Sequence, residues 1–500
     1  MSSSINPNLE KPTRLFLLLT GKQWLASIAV GVFLTAIFYP WYCEISFWIA
    51  VSLFLSGVVT VQLAYASRYL VPLPHIAILI ASLQYVLAAW LSYYFPPSSE
   101  LYDIGPRLSE YLSFAGPVLA VVMIGWYFAL VGLRPTSAPK APKNISLRFD
   151  LDLLYYGGLA VTLVGNVLQI ESLAFVVLLV GNLRYVGVFG RMVLRVPGWR
   201  WRLALVIFID VLFAANATMF HDLLLWSAWT FALWIYCVKP APKVIMGAVA
   251  AGVLLLPGLQ EAKWQLRDGF VRDDFSTTPE DLTSGGDLLI KPVRWVSYMG
   301  QSLGRTVALN FDPEFVADMA VRYNQGWIIN RVMVVVPAVQ PFAEGATIME
   351  AAQSAVLPRF IAPEKATAGG REKMLTYANI DLNERTAMNL GYAGEMYANF
   401  GLTGGIIGCF AYALAFGLFF RFLMRLASTH PLWWAVLPFI FYAGLKAEDD
   451  ITFVINWMAK ACVVILGICF VLPAFREALW GRTGRDQSRF ASDPAARRMS

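Results

Sequence analysis

At 500 residues the chain is long enough for about three soluble domains, but its composition decides the class first. Hydrophobic residues make up 58% and charged residues 14%, against about 25% charged in a soluble globular chain, and the formal net charge is +6. A soluble enzyme, a disordered chain and a collagen-like fibre are excluded; the 33 Phe, 21 Tyr and 17 Trp suit many helix ends at headgroup level.

The N-terminal segment carries Lys11, Arg14 and Lys22 before an apolar run, but no small-residue cleavage site follows, so it reads as retained. Apolar windows long enough to cross a bilayer of roughly 30 Å then follow near 23–40, 45–66, 70–95, 110–133, 152–170, 172–190, 203–220, 222–238 and 244–259. Basic residues cluster after the even-numbered windows: Arg68; Arg134, Lys140, Lys143 and Arg148; Arg191, Arg195, Arg200 and Arg202; Lys239 and Lys243. Because Lys and Arg are held on the cytoplasmic side, the N-terminus is expected to be cytoplasmic. Inside this bundle Arg184 and Asp210 are expected to face the interior and pair. The five cysteines (43, 237, 409, 462 and 469) lack C-x₂-C spacing and only three histidines exist, so no Cys/His metal site is expected. A hard-cation site built from carboxylates stays open.

Residues 260–396 form a hydrophilic excursion with 13 Lys/Arg and 17 Asp/Glu, expected on the external, periplasmic face. It is far longer than an ordinary connection, and such insertions usually carry function. Its first part, Glu261 to Gly286, is acidic and turn-rich. Residues 288–309 alternate apolar and basic side chains, as an interfacial amphipathic helix or a helix roofing the bundle would. Arg322 and Arg331, with Gly326 between them, lie on opposite faces of any straight helix, so either the helix breaks and both meet one ligand or they address different ligands. Arg359 and Lys365 project from a proline-pinned stretch, and residues 369–373 read as a turn.

The excursion ends in Gly391-Tyr-Ala-Gly-Glu395-Met-Tyr-Ala-Asn399-Phe-Gly401, which leads into windows at 400–424, 432–447 and 452–475. Glu395 and Asn399 are four apart and share a helical face at the expected membrane boundary, and a carboxylate there is a functional candidate by default. Basic Arg421 and Arg425 keep the alternation, Lys446 beside Glu448-Asp449-Asp450 reads as an interfacial anchor, and the tail from Arg476 carries six arginines, suiting a solvated cytoplasmic segment. The expected organisation is an all-α polytopic membrane protein of about twelve spans: a nine-helix bundle (1–259), the large loop (260–396), three further helices (397–475) and a basic tail (476–500).

The ordered set Gly345…Thr347, Leu357-Pro358-Arg359…Pro363-Glu364-Lys365 and Gly391 to Gly401 resembles the Wzy-type polymerases of O-antigen and exopolysaccharide repeat units. Those proteins carry a Pro-Arg stretch and a Gly-Glu-x-Tyr-x-Asn-Phe-Gly segment where the periplasmic loop re-enters the membrane. The match covers about 60 residues, and Ala366 stands where the family often has proline. The resemblance implies a GT-C-like glycosyltransferase of the bacterial inner membrane, while the alternation of basic connections sets both termini on the cytoplasmic side. It would join undecaprenyl-diphosphate-linked oligosaccharides on the periplasmic face, beside a flippase and a chain-length regulator and without nucleic acid.

The residues suit that chemistry. Arg322, Arg331, Arg359 and Lys365 supply cations for a diphosphate leaving group without metal or cofactor. Glu395 is the first choice for a general base and His221 the second, with Asp449 and Asp450 also facing the expected cavity. Asn399, Tyr392 and Tyr397 stand beside them, the tyrosines as sugar-stacking candidates. The rival readings are an O-antigen ligase, which resembles families relying on a loop histidine absent here, a polysaccharide flippase or transporter, and a sortase-like membrane protease.

Overall fold

The computed structural model describes residues 20–67, 70–97, 99–104, 107–133, 145–168, 174–217, 220–266, 290–307, 313–356, 370–382 and 388–481. Among these the chain is all-helical, and six helices are long and apolar enough to cross a membrane. The N-terminal helices are α1 (Gly21–Ile37), α2 (Phe47–Ala66), α3 (Leu73–Tyr94), α4 (Leu108–Leu130), α5 (Ile145–Leu168), α6 (Phe175–Val193), α7 (Trp199–Ala217), α8 (His221–Val238) and α9 (Pro242–Leu266). Local chemistry sets several starts: Thr20 and Gln23 form a capping box on α1, and Ser46 accepts from Trp48 N–H to open α2.

Small residues let these helices approach backbone to backbone, as membrane packing requires. A Cβ on Gly57 would lie 2.8 Å from Gly31, and one on Gly125 would lie 2.9 Å from the Phe410 carbonyl. In α5 and α6, Gly165 meets Val177 while Gly187 meets Leu151 and Tyr155, so the two run antiparallel. The pairing expected of Arg184 and Asp210 is present at 2.8 Å, with Thr162 on the second guanidinium nitrogen at 2.7 Å and the Tyr185 hydroxyl also on Asp210. Asp152 ties Arg191 and Arg202 together where α5 begins, α6 ends and α7 begins.

The excursion contributes α10 (Ile290–Val307), α11 (Pro313–Tyr323), α12 (Gly326–Val335), α13 (Ala346–Val356) and α14 (Arg371–Ala378). The amphipathic pattern at 288–309 is realised as α10, whose Trp295 stacks on Phe220 at 5.2 Å and shares a small core with Leu259. Residues 371–373 are not a turn: they open α14, with Gly370 at φ +65° just before it. An L side chain there would also strike the Met388 carbonyl at 2.2 Å.

Last come α15 (Gly391–Thr429), α16 (Trp433–Ile440), α17 (Ile451–Val471) and α18 (Pro473–Trp480). Gly401 interrupts α15 at φ +68°, ψ −161°, a conformation open essentially to glycine alone. The two limbs, 391–400 and 402–429, fold against each other: Gly408 packs on Met396, and Tyr392 stacks on Tyr412 at 5.0 Å. The second limb runs parallel to α4, with Gly405 at Phe114, Phe410 at Gly125 and Gly417 at Ala129. The apolar window at 432–447 is not one span-length helix. After α16, with Pro438 inside it, come a 3₁₀ turn (Tyr442–Gly444) and irregular backbone up to Asp450, whose carboxylate caps α17 by accepting from Phe453 N–H at 2.7 Å.

Candidate functional site

The reversal at Gly401 sets the first limb of α15 beside its membrane-length second limb, so Glu395 is carried into the protein interior, fully buried. Asn399 fixes the limb's end: its amide donates to Thr347 Oγ1 at 2.7 Å, and its carbonyl oxygen accepts from Gly345 N–H at 2.9 Å. Ala343 N–H and Glu344 N–H donate to the Ala398 and Asn399 carbonyls, where 3.0 and 3.2 Å separate donor from acceptor. The separated motif residues Gly345, Thr347, Glu395 and Asn399 therefore meet in one hydrogen-bonded corner.

Lys373 of α14, not singled out in the sequence, is the partner of Glu395 at 2.5 Å. The same ammonium donates to Thr452 Oγ1 at 2.8 Å and approaches Asp450 at 3.5 Å. The other Glu395 oxygen accepts from Ile451 N–H at 2.9 Å, at the start of α17, where exposed N–H groups and the helix dipole favour a carboxylate. Burial alone would lower the Lys373 pKa, but Glu395 and Asp450 outweigh it and hold the group above its ordinary value. As positioned, Glu395 fastens α14, α15 and α17 together.

A second ionic set occupies the irregular stretch before Asp450. Lys446 reaches Glu448 at 3.1 Å and Asp449 at 3.0 Å, and Gln84 of α3 donates to Glu448 at 3.2 Å. Lys446 is thus an internal partner with an 18% exposed side chain, and not the interfacial anchor its position suggested. Asp449 is 2% exposed, and its Oδ2 has no hydrogen-bond partner. Burial pushes the Asp449 carboxyl up to about 7 despite the opposing pull of Lys446. Lys446 and Ala447 also form one wall of a narrow gap of about 20 Å³, whose other walls include Trp126, Tyr392, Tyr412 and Phe416.

The arginine geometry resolves one expectation. The helical pattern breaks between Tyr323 and Gly326: Asn324 Oδ1 accepts from Gly326 N–H at 2.9 Å, and Gln325 N–H donates to the Gln84 carbonyl at 2.9 Å, inside a π turn of α3 (Ser82–Leu87). Arg322 is exposed at the end of α11, and its charge bears on Glu448. Arg331 on α12 is half-buried; its Nε is buried without a partner, and it makes no ion pair among the described residues. Arg359 and Lys365 lie outside the described residues.

Of the remaining candidates, His221 is half-exposed, 2.7 Å from Asp222, which also accepts from the Tyr442 hydroxyl. Tyr392 is buried between Tyr85 and Tyr412, and Tyr397 packs edge-on against Phe114, so both rings are engaged within the protein. Among the described residues no group of three or more His, Cys, Asp or Glu side chains is placed to hold a metal ion. No family model, curated protein or solved structure matches the chain.

Proposed function

We propose that this chain is a membrane glycosyltransferase that polymerises undecaprenyl-diphosphate-linked oligosaccharide repeat units, with twelve spans in a GT-C-like arrangement in the bacterial inner membrane. The observation that carries this reading is the unpartnered Arg331. Arg184, Arg191 and Arg202 of the bundle each hold a carboxylate, whereas Arg331 is half-buried beside the motif helices with no anion among the described residues. A diphosphate supplies the missing anion, and an arginine fork suits it while staying charged. In the reaction an acceptor hydroxyl attacks the anomeric carbon, the bond to the diphosphate breaks, and the lipid diphosphate leaves with the electron pair. Arg331 and Arg322, joined by Arg359 and Lys365, stabilise that leaving charge.

Arg322→Ala, Arg331→Ala and Arg359→Ala are each expected to slow chain extension by roughly 10- to 100-fold, the worth of about 1.5–3 kcal/mol for a charge-assisted hydrogen bond. Membrane insertion should be unchanged. Normal polymer from all three variants rejects the diphosphate role.

A transporter reading gains one specific observation. The π turn of α3, the reversal at Gly401 and the irregular stretch before Asp450 gather non-helical backbone and titratable side chains in the interior, a pattern of transporters with broken helices. The two readings part on product size: a polymerase lengthens its lipid-linked substrate, and a transporter moves it unchanged.

A further inference from the structure

Leu402 to Phe420 on the second limb of α15 is a run of 19 residues without a charge, and Arg421 and Arg425 follow it. At 1.5 Å per residue the run is about 28 Å long, close to the roughly 30 Å of a bilayer core. Arginine marks one boundary of such a run, so the reversal at Gly401 falls at the other. Ile407, Leu418 and Phe422 share one face of this limb and are exposed, as lipid-facing side chains are. That face does not stop at the reversal. Phe400, half-exposed, lies over Gly404 and Gly408 beside Ile407, and its ring also reaches Gly345. Phe342 covers Gly401 itself, and Val339, three residues earlier, is 78% exposed.

Val339 and Phe342 belong to an excursion with 13 Lys/Arg and 17 Asp/Glu, yet residues 332–343 carry no charge at all. On a turn surrounded by water an uncharged, exposed apolar surface is unfavourable. The backbone is equally suited to an apolar neighbour. The N–H groups of Val336, Val339 and Gln340 donate to the Val332 and Val335 carbonyls at 2.8, 2.7 and 3.1 Å, and Ala343 and Glu344 donate to the end of the first limb. Pro337 and Pro341 have no N–H to satisfy. Backbone beside hydrocarbon needs its polar groups paired in this way. Glu344 is exposed at the edge of the surface and sets its depth, because a carboxylate is costly below the headgroups.

We infer that Val339, Phe342, Phe400 and Leu402 form a lipid contact, seated where acyl chains meet headgroups in the leaflet opposite Arg421, and that it anchors the excursion to the bilayer. α12, which carries Arg331, ends at Val335 just before this surface, and the first limb of α15, which carries Glu395, runs up to it. The contact therefore fixes the height of both, whichever reaction the chain performs. The test uses the full-length protein in a cysteine-free background, reconstituted in nanodiscs of phosphatidylethanolamine and phosphatidylglycerol, with a nitroxide on Val339→Cys. Ile407→Cys is the lipid-facing reference, and Asp381→Cys, exposed beside Arg371, is the water-facing one. Power saturation of the spin signal reads accessibility to oxygen, which concentrates in lipid, and to a water-soluble nickel complex. The oxygen-to-nickel ratio at Val339 is expected to lie several-fold above that at Asp381 and to approach that at Ile407. Thermal midpoints matching the unlabelled protein confirm that the labels leave the fold intact. A ratio equal to that at Asp381 puts the turn in water, and low accessibility to both reagents shows it covered by protein; either result overturns the lipid contact.

Discussion

Lys373, Glu395, Asp450 and Thr452 bring α14, α15 and α17 to one buried point. Removing one member of a buried ion set leaves the others uncompensated, so Lys373→Met is predicted to destabilise the protein by about 3–5 kcal/mol, with Lys373→Arg milder. Unfolding of the purified variants measures this, and an unchanged midpoint in Lys373→Met would deny Glu395 its fastening role. Asp449 has the opposite sign. Its carboxyl holds a proton up to about 7 when folded but only to its ordinary 3.8 when unfolded, so between these values the folded state binds more protons and stability falls as pH rises. Asp449→Asn is therefore predicted to stabilise the fold at pH 8 relative to wild type and to match it at pH 3. Equal midpoints at pH 8 would show an Asp449 with an ordinary carboxylate titration. The Arg184–Asp210 pair was legible in the sequence because opposite charges inside apolar segments have few other ways to be satisfied. Lys373 was not, because it is one of 13 basic residues in a polar stretch and only the tertiary fold selects it.

At the scale of elements, the opposed arginines left a helix break near Gly326 as one of two options and the structure shows that break between α11 and α12, while the amphipathic pattern at 288–309 became α10. The hairpin in α15 was hidden. Residues 391–429 carry no proline, and a glycine at 401 permits a reversal without requiring one. What fixes it is tertiary: Phe342 lies 3.0 Å from where a Gly401 Cβ would sit, and Asn399 is held by Gly345 and Thr347. Gly401→Ala is predicted to cost about 1–3 kcal/mol from backbone strain alone. The hairpin itself can be read by cross-linking. In a cysteine-free background, Met396→Cys with Gly408→Cys should form a disulfide on oxidation, since Gly408 packs against Met396. A continuous helix would hold those positions about 18 Å apart and give no cross-link. The window at 432–447 does not form one continuous helix for a related reason: apolar composition reports burial as readily as membrane crossing, and α16 is buried along its whole length.

For the whole molecule, composition alone set the class, an all-helical chain with helices of membrane-crossing length, because a 58% hydrophobic sequence has no soluble alternative. The directions of packed helices fit the expected alternation: α5 and α6, consecutive windows, run antiparallel, while α4 and the second limb of α15, both even-numbered windows, run parallel. The motif residues Gly345, Thr347, Glu395 and Asn399 meet in one corner, and Arg331, Asp449 and Gln84 are among the buried polar groups with an atom left unpaired. The proposed chemistry lies beside the motif corner. Its central claim is that this assembly extends a lipid-linked glycan. The most direct measurement is to incubate the purified protein with the undecaprenyl-diphosphate-linked repeat unit, without added metal, and separate the products by size. A ladder spaced by one repeat unit is the predicted result, and substrate recovered unchanged from folded protein would contradict it.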